Sequence, residues 1–344
     1  MTQKIALIIG VGGGVGGAVA RALIAHGWSV RGFARDPERA RRGLGQGLIE
    51  WIAGDAMRGA EVIAAARGTH AIVHAAHPPG YRNWRGLALP MLASAIAAAG
   101  ASGARLVLPG TVYNYGPDAG AVVDEQAPQH PLTRKGRIRV EMEGMMAAAA
   151  ATGVRSLVVR AGDFFGPHAP SSWFSGAMVR PGNPVRFVIY PGKGGVGHAF
   201  AFLPDLAEAT ARLLAIEAQL PAFETVHFAG HWLEDGADIA RSIRRVAGVP
   251  RAPILPFPAA ILYLAAPFNA TFREMIEMRY LWQEPLRLDN RKLQRLIGPE
   301  PRTPLDEAVR QSLSGLGCLA VNPKSNSLVA RVVGEDGEGD ARAR

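Results

Sequence analysis

The first half of the chain alternates short apolar runs with longer segments in which apolar residues recur at helical spacing. Strands are predicted at residues 4–9, 29–34, 48–52, 71–75, 105–109 and 156–160. Helices are predicted between them at residues 15–26, 60–66, 87–99 and 134–151. Strands that alternate with helices form parallel sheets covered on both faces, so the pattern predicts an α/β fold with a doubly wound parallel sheet.

The pattern changes in residues 162–195, which are rich in Gly, Pro and Trp and could build a substrate pocket. Further strands are predicted at residues 198–202 and 224–228, and helices at residues 205–216, 238–246, 258–266, 273–281 and 305–316. We expect a main domain at residues 1–165, to which residues 196–230 return. A smaller mixed, mostly helical lobe is expected at residues 166–195 and 231–320. The polar residues 321–344 are predicted to form a disordered tail.

The composition excludes several classes of protein. With 48% hydrophobic and 19% charged residues among 344, the chain has the composition of a folded domain. Its net charge of +9 comes from scattered Arg residues, whereas nucleic-acid binding would need them clustered. The single cysteine, Cys318, excludes an internal disulfide and a cysteine-based metal cluster, and we expect a cytoplasmic protein.

Membrane, metal and serine-hydrolase functions also find no support in the sequence. No stretch reaches the roughly 18 uninterrupted apolar residues of a membrane span. His227 and His231 lie on a predicted strand and its following loop without a nearby carboxylate, so we interpret them as structural and predict no metal site. A G-x-S-x-G turn, which would present a nucleophilic serine, is absent.

A glycine-rich turn joins the first predicted strand to the first helix. Gly10, Gly13 and Gly16 have the spacing G-x-x-G-x-x-G, and Gly14 and Val15 lie between the last two. Glycines there permit a tight turn, bring the backbone close to a pyrophosphate, and let the helix pack on the sheet. Amides at the helix N-terminus then face the phosphate charge. The turn predicts a dinucleotide site, and hence a Rossmann-type NAD(P)-binding domain.

The end of the second strand bears on which nicotinamide cofactor binds. Arg35 stands where a 2′-phosphate would lie, whereas an acidic residue there would bind the ribose hydroxyl. Asp36 is interpreted as the cap of the next helix, with Pro37 at its first position. We therefore expect NADP(H) to be preferred, with NAD(H) also accepted. A solvated Arg35 on a loop is the alternative.

Taken together, these motifs resemble the short-chain dehydrogenase/reductase superfamily, in its extended or atypical NAD-dependent epimerase/dehydratase branch, over residues 4–317. Asp55 and Ala56 are similar to the adenine-side segment of that family, although Asp55 could equally cap a helix. The segment with Ala75 and Ala76 is similar to the one that lines the nicotinamide ribose. Thr111 matches the family's substrate-bonding hydroxyl, four residues before a Tyr-Gly pair.

The sequence departs from the family pattern at the positions of the residues that transfer the proton. The family has a Tyr on its fifth helix, which delivers the proton, and a Lys four residues later. With Glu143 aligned to the family's helix glutamate, the corresponding residues here are Lys135 and Arg139. Three hypotheses follow: Lys135 is the acid/base, helped by neighbouring arginines; Tyr113 or Tyr81 reaches the same site; or no proton is transferred.

Candidate substrate residues follow the fourth and sixth strands of the alternating pattern. Tyr81 and Trp84 come after the fourth strand, at the edge where open parallel sheets bind ligands. Asp163 follows the sixth strand, in a segment similar to the one that turns toward the substrate in the family, and Trp173 lies in the irregular region. Simple packing is the alternative for Trp84 and Trp173.

Two functions remain open at this point. The first is an NADP(H)-dependent oxidoreductase or epimerase-like enzyme acting on a small carbonyl, hydroxyl or nucleotide-sugar substrate. The second is a catalytically impaired NADP(H)-binding sensor or regulatory module. Both predict a small-molecule ligand and neither a nucleic-acid nor a membrane partner, and the oligomeric state is open, a homodimer included.

Overall fold

The structure is a computed structural model that describes residues 3–42, 49–78, 83–169, 171–258, 263, 266 and 276–319. Its strands are β1 (Ile5–Ile9), β2 (Ser29–Ala34), β3 (Ile49–Ala53), β4 (Ala71–His74), β5 (Arg105–Thr111), β6 (Val122–Val123), β7 (Ser156–Ala161), β8 (Asp163–Phe165), β9 (Val188–Tyr190), β10 (His198–Phe202), β11 (Phe223–Phe228), β12 (His231–Leu233), β13 (Ile254–Pro256) and β14 (Arg287–Leu288). Its α-helices are α1 (Gly14–Ala25), α2 (Pro37–Arg41), α3 (Gly59–Ala65), α4 (Trp84–Ser102), α5 (Arg134–Ala150), α6 (Leu203–Ala215), α7 (Asp238–Val246), α8 (Arg291–Ile297) and α9 (Leu305–Gly315).

Seven parallel strands form the central sheet in the order β3-β2-β1-β4-β5-β7-β11. The order reverses between β1 and β4, so the crevice at their carboxyl ends is where an open sheet of this kind binds ligands. The predicted Rossmann-type α/β fold is confirmed. The strands and helices of the first half begin and end within about three residues of their predicted bounds, because each buries a continuous or periodic apolar face.

Helices cover both faces of the sheet. On one face α1 and α6 pack together over apolar residues that include Val19, Leu23 and Leu213. On the other face α3, α4 and α5 bury a second set that includes Leu92 and Met142. Local capping agrees with the sequence: Asp36 Oδ1 accepts the Arg39 amide at 2.9 Å, with Pro37 at the first helical position.

A third apolar core lies beyond the sheet and includes Phe165, Phe174 and Trp282. Three strands beside it form a separate sheet in the order β12-β10-β8. This differs from the prediction that residues 196–230 return to the main domain: α6 and β11 do so, but β10 pairs with β8 and β12. The irregular stretch at residues 162–195 also contains two short strands, β8 and β9. Each has three residues, too few to show the alternation of apolar and polar positions by which a strand is predicted.

Parts of the second lobe differ from the predicted pattern or lie outside the described residues. Helix α8 was not predicted, and its Leu293 packs into the core of the main sheet rather than into the lobe. Most of the predicted helix at residues 258–266, residues 273–275 of the one predicted at 273–281, and the predicted tail at residues 321–344 lie outside the described part of the chain, while Met278–Trp282 forms a short 3-10 helix. The domain boundaries stay predictions.

Helix α4 is, among the described residues, the one helix long and apolar enough to cross a membrane by length and composition. In the structure it packs against α3 and α5, and its Met91, Leu92 and Ala95 are buried in the core.

A buried polar network ties α5 to the sheet. The carboxylate of Glu143, on α5, pairs with the guanidinium of Arg160, on β7, at 2.6 Å. Asn114 Nδ2 donates to Glu143 Oε1 at 2.8 Å, and the Tyr115 hydroxyl lies 2.8 Å from His227 Nε2 and accepts from Arg160. Each charge in this network therefore has hydrogen-bonding partners, as burial of charge requires.

We expect Glu143→Gln to lower the free energy of unfolding by about 3 to 5 kcal/mol, because it leaves the buried Arg160 charge without a counterion. Urea denaturation followed by circular dichroism measures this loss. Glu141→Gln is the matched control: Glu141 lies on the same helix and pairs with Arg85 at the surface, so its loss should cost less than about 1 kcal/mol. Equal losses of unfolding free energy in the two variants would contradict the role of Glu143 as the buried counterion of Arg160.

Candidate functional site

Two connected cavities open at the carboxyl ends of the central strands. The outer cavity, of about 430 Å³, is lined by Ile9, Gly10, Gly12, Gly13, Phe33, Ala34, Arg35, Asp36, Arg39, Ala40, Gly54, Asp55, Ala56, Met57, Ala75, Ala76, His77, Pro78, Leu87 and Met91. The inner cavity, of about 200 Å³, is lined by Gly13, Gly14, Val15, His74, Ala75, Ala76, His77, Trp84, Pro109, Thr111, Tyr113, Lys135, Arg139, Phe164, Ala169, Ser171, Ser172 and Leu203. Gly13 and residues 75–77 line both, so the cavities form one elongated site.

Two of the motif glycines are required by the fold itself. Gly10 has φ +87°, and a Cβ there would lie 2.6 Å from the Ala76 nitrogen. A Cβ on Gly16 would lie 2.4 Å from the Gly10 carbonyl oxygen, so this glycine allows α1 to pack close to the turn. Both positions therefore exclude a side chain for steric reasons within the protein.

Gly13 differs from these two glycines because a Cβ there would make one tight contact and no outright clash. Its φ is −85° and its ψ is 166°, an extended conformation open to any residue. The nearest atom to a Cβ would be the Gly10 carbonyl oxygen, at 3.3 Å. Gly13 lines both cavities at the N-terminus of α1, where unpaired amides favour an anion. Gly13 therefore lies where a side chain would project into the space shared by the two cavities.

The outer cavity gathers the residues predicted for the adenine side. Arg35 is exposed and lines this cavity beside Arg39, while Asp36 is engaged in capping α2. Ala56 is buried in the lining, and Asp55 Oδ1 accepts the Met57 amide at 3.0 Å. Asp55 therefore lines the cavity and also closes a local turn before α3, and its predicted cofactor contact stays a prediction.

The inner cavity gathers the residues predicted for chemistry. Thr111 ends β5, is 6% exposed, and its hydroxyl has no hydrogen-bond partner in the described protein. Lys135 lies on the first turn of α5 and is 5% exposed, so it is not on a solvated helix face. Tyr113 lines the same cavity from the short helix after β5. The structure thus brings together Thr111, Tyr113, Lys135 and Arg139.

The start of α5 explains how Lys135 reaches this cavity. The Thr133 hydroxyl accepts the Gly136 amide at 2.9 Å and caps the helix. A Cβ on Gly136 would lie 2.2 Å from the Tyr113 carbonyl oxygen, so the missing side chain lets α5 approach the end of β5 closely. Lys135, Arg139 and Glu143 are spaced four apart and therefore share one face of the helix.

Arg139 is held between the sheet and an aromatic ring. Its Nη1 donates to the Pro109 carbonyl oxygen at 3.3 Å, and its guanidinium carbon lies 5.5 Å from the centre of the Trp84 ring. Burial lowers the pKa of Arg139, while Tyr113 and Glu143 act in the opposite direction. Trp84 both packs in the core and lines the cavity, so its two predicted roles are compatible.

His74 is a site residue to which the sequence analysis gave no role. It ends β4, is 2% exposed, and neither ring nitrogen has a hydrogen-bond partner in the described protein. Burial first, and the charge of Arg139 second, lower the pKa of His74 to about 4, so the ring is neutral at pH 7. Its place at the carboxyl end of a central strand was the available signal.

Some predicted site residues lie elsewhere. Asp163 is buried, and its Oδ2 is hydrogen-bonded to His198 Nε2 at 2.8 Å. It is not among the residues that line the inner cavity. The ring of Trp173 packs edge-on against Trp282, with centroids 5.5 Å apart, and is also outside that lining. The second lobe contributes Ser171 and Ser172 instead. Tyr81 lies outside the described residues.

The arginines flanking Lys135 in sequence do not share its surroundings. Arg134 is exposed and pairs with Glu277 at 3.1 Å, and Arg137 is exposed and donates to the Leu132 carbonyl oxygen. Of the arginines near Lys135 in sequence, Arg134, Arg137 and Arg139, only Arg139 lines the cavity with it. In the described part of the chain, no group of three or more His, Cys, Asp or Glu residues could hold a metal ion.

Residues 6–226, well over half of the chain, match the model of the NAD dependent epimerase/dehydratase family. The chain belongs to this family. The family resemblance stated from the sequence motifs is therefore confirmed. No curated protein matches the chain.

Solved structures share the fold of this epimerase/dehydratase family member at low identity. UDP-galactose 4-epimerase has a TM-score of 0.70 and 19% identity, with 91% of this chain and 98% of that chain covered. MoeE5 in complex with UDP-glucose and NAD has a TM-score of 0.69 and 18% identity, covering 94% and 99%. UDP-glucuronic acid 4-epimerase from Bacillus cereus in complex with NAD has a TM-score of 0.71 and 15% identity, covering 91% and 98%.

We expect Gly13→Val to abolish binding of the nicotinamide cofactor while the protein stays folded, because the new side chain would occupy the space of the pyrophosphate. Isothermal titration calorimetry measures the affinity, and circular dichroism checks the fold. Gly144→Val is the matched control, since a Cβ at Gly144 meets nothing within 4 Å. Undiminished affinity in a folded Gly13→Val protein would show that the turn is not the phosphate site.

Proposed function

We propose that this protein is a nicotinamide-dependent oxidoreductase or epimerase-like enzyme that acts on a small carbonyl, hydroxyl or nucleotide-sugar substrate. The observation that carries this proposal is the inner cavity, where buried Lys135 and the Thr111 hydroxyl face the same space as the glycine turn. Two neighbours in fold are complexes with NAD, and their names concern nucleotide sugars, which agrees with this substrate class.

The residues of the elongated site fit a dinucleotide. Gly13 and the first amides of α1 would hold the pyrophosphate, and Arg35, Asp55 and Ala56 would surround the adenosine half. Ala75 and Ala76 would border the nicotinamide ribose in the inner cavity. When bound, the cofactor accepts or supplies a hydride at the substrate carbon.

Lys135 and Thr111 both act on the substrate oxygen, the first by proton transfer and the second by hydrogen bonding. In the direction of reduction, the Lys135 ammonium gives its proton to the carbonyl oxygen as the carbon gains a hydride, and an alcohol results. The Thr111 hydroxyl donates a hydrogen bond to the same oxygen as negative charge develops on it. In the reverse direction, the Lys135 amine takes up the alcohol proton.

The proposal is tested by turnover together with binding. A panel of small carbonyl compounds, sugar alcohols and nucleotide sugars is incubated with reduced and oxidised cofactor, and nicotinamide absorbance is followed. Calorimetry measures cofactor affinity in parallel. Turnover of any panel member supports an enzyme. Tight cofactor binding without turnover would favour the second hypothesis, a sensor or regulatory module.

We expect Lys135→Met to lower turnover by about 10² to 10⁴, the usual contribution of a general acid, with cofactor affinity nearly unchanged. Arg137→Met, on the exposed face of the same helix, is the control. Full activity in Lys135→Met would indicate that Tyr113 or Tyr81 is the general acid/base. Loss of cofactor binding would indicate that Lys135 binds the cofactor instead.

We also propose that NADPH binds more tightly than NADH, because Arg35 lines the outer cavity where a 2′-phosphate would lie. A charged hydrogen bond of about 1.5 to 3 kcal/mol corresponds to about a tenfold or greater preference. Arg35→Ala should reduce the ratio of the two affinities toward one, as measured by calorimetry. Arg41→Ala, whose side chain pairs with Glu38 outside the cavity lining, should leave the ratio unchanged. An unaltered ratio in Arg35→Ala would refute the assignment.

A further inference from the structure

The second lobe carries an apolar surface on the outward face of the two-stranded sheet formed by β9 and β13. The strands are parallel, and Ile189 is paired with Leu255. Val188 and Tyr190 are buried in the third apolar core. Because side chains alternate between the two faces of a strand, Phe187 and Ile189 lie on the face that points away from this core, and Leu255 lies beside Ile189.

Pro253 completes this outward face. The register of the two strands sets Pro253 beside Phe187, and the Val188 amide donates to the Pro253 carbonyl oxygen at 3.0 Å. Phe187 is 46% exposed and Leu255 is 42% exposed, although both side chains are large and apolar. Pro253 is exposed and Ile189 is half-buried. We call Phe187, Ile189, Pro253 and Leu255 the outer sheet face.

Positive charge surrounds the outer sheet face. The two segments that contain its strands, residues 179–195 and 247–258, include no Asp or Glu. Their cationic residues are Arg180, Arg186, Lys193 and Arg251. Arg186 directly precedes Phe187, and both Arg186 and Arg251 are exposed. An apolar surface with a cationic border calls for a partner that combines apolar groups with negative charge.

The acidic groups that act on β9 do so from its core side and are already engaged. Burial first, and then the charges of Asp235 and Asp163, raise the pKa of Tyr190, whose ring points away from the outer sheet face. Asp235 Oδ2 accepts from Arg241 Nη2 at 2.7 Å, and Asp163 Oδ2 is hydrogen-bonded to His198. Neither carboxylate therefore neutralises the cationic border.

We propose that the outer sheet face docks on an anionic lipid bilayer. Its apolar side chains would enter the boundary between head groups and acyl chains, and Arg186 and Arg251 would bind lipid phosphates. A bilayer that contains anionic lipids offers an apolar interior and negative charge close to each other. This proposal goes beyond the proposed function and does not rest on it.

Other partners fit this surface less well. A second copy of the chain would bring two cationic borders together, and four side chains per copy bury less than the roughly 1,000 Å² that a stable interface needs. A nucleic acid would engage the arginines and leave the apolar side chains exposed. The sequence-based prediction of no membrane partner rested on the absence of a spanning segment, which a surface contact does not require.

The test is co-sedimentation of the full chain with lipid vesicles. Vesicles of phosphatidylcholine alone are compared with vesicles that contain about 30% phosphatidylglycerol, in low salt and in about 0.15 M salt. We expect at least about tenfold tighter binding to the anionic vesicles, and weaker binding as the salt concentration rises.

A first double variant tests the apolar contribution. Phe187→Ser with Leu255→Ser keeps the net charge, and its affinity for anionic vesicles should fall at least about tenfold. The matched control is Val122→Ser with Leu132→Ser, which removes two apolar side chains that are 60% and 57% exposed elsewhere on the protein. This control should bind as the wild type does. Circular dichroism checks that both variants are folded.

A second double variant tests the cationic border. Arg186→Gln with Arg251→Gln should lose the preference for anionic vesicles, because the lipid phosphates no longer meet a guanidinium. Arg67→Gln with Arg295→Gln makes the same change of net charge at other exposed positions and should keep most of the preference. This pair stays informative if the serine variant fails to fold.

Three results would overturn the proposal: no binding to anionic vesicles, equal losses in a double variant and its control, or full binding by the folded serine variant. Without vesicle binding, two further observations would assign the outer sheet face to another occupant. A dimer in sedimentation velocity that the serine variant dissociates would assign it to a second copy. An unfolding midpoint that falls in the serine variant but not in its control would assign it to another segment of this chain.

Discussion

The buried ion pair between Glu143 and Arg160 joins helix α5 to the central sheet, and the geometry of the inner cavity depends on it. Two desolvated charges are stable only while both partners and their hydrogen bonds are in place, here from Asn114 and Tyr115. Arg139 and Lys135 stand one and two turns before Glu143 on the same helix face. A pair that fixes the rotation of α5 therefore also fixes the direction in which both cations point.

Binding and chemistry use different parts of the elongated site. At the turn after β1, side chains at Gly10 and Gly16 would clash within the protein, whereas a Cβ at Gly13 would meet only the Gly10 carbonyl oxygen, at 3.3 Å. In the inner cavity, side chains crowd the space, and several of their polar atoms have no hydrogen-bond partner in the described part of the chain. The first arrangement suits close approach of a backbone to phosphate, and the second suits a ligand with directional acceptors.

The alignment on Glu143 predicts that Lys135 and Arg139 stand where the resembling family has Tyr and Lys, and this would change the electrostatics of the site. A phenol and an ammonium carry one positive charge at pH 7, whereas two basic side chains carry up to two. His74 adds none, because its pKa is lowered to about 4 by burial and by Arg139. On this alignment the site differs from the family pattern in charge.

The sequence by itself determined the parallel α/β sheet, the glycine turn, the Asp36 cap and, through alignment on Glu143, the place of Lys135 on α5. These features depend on periodicity and on contacts a few residues apart, which a sequence displays directly. Only the tertiary structure decided that Asp163 pairs with His198, that Trp173 packs on Trp282 and that His74 has no hydrogen-bond partner among the described residues. Those outcomes depend on which residues, distant in sequence, lie within hydrogen-bonding or packing distance of each other in the folded protein. The packing of whole strands and helices sets these distances.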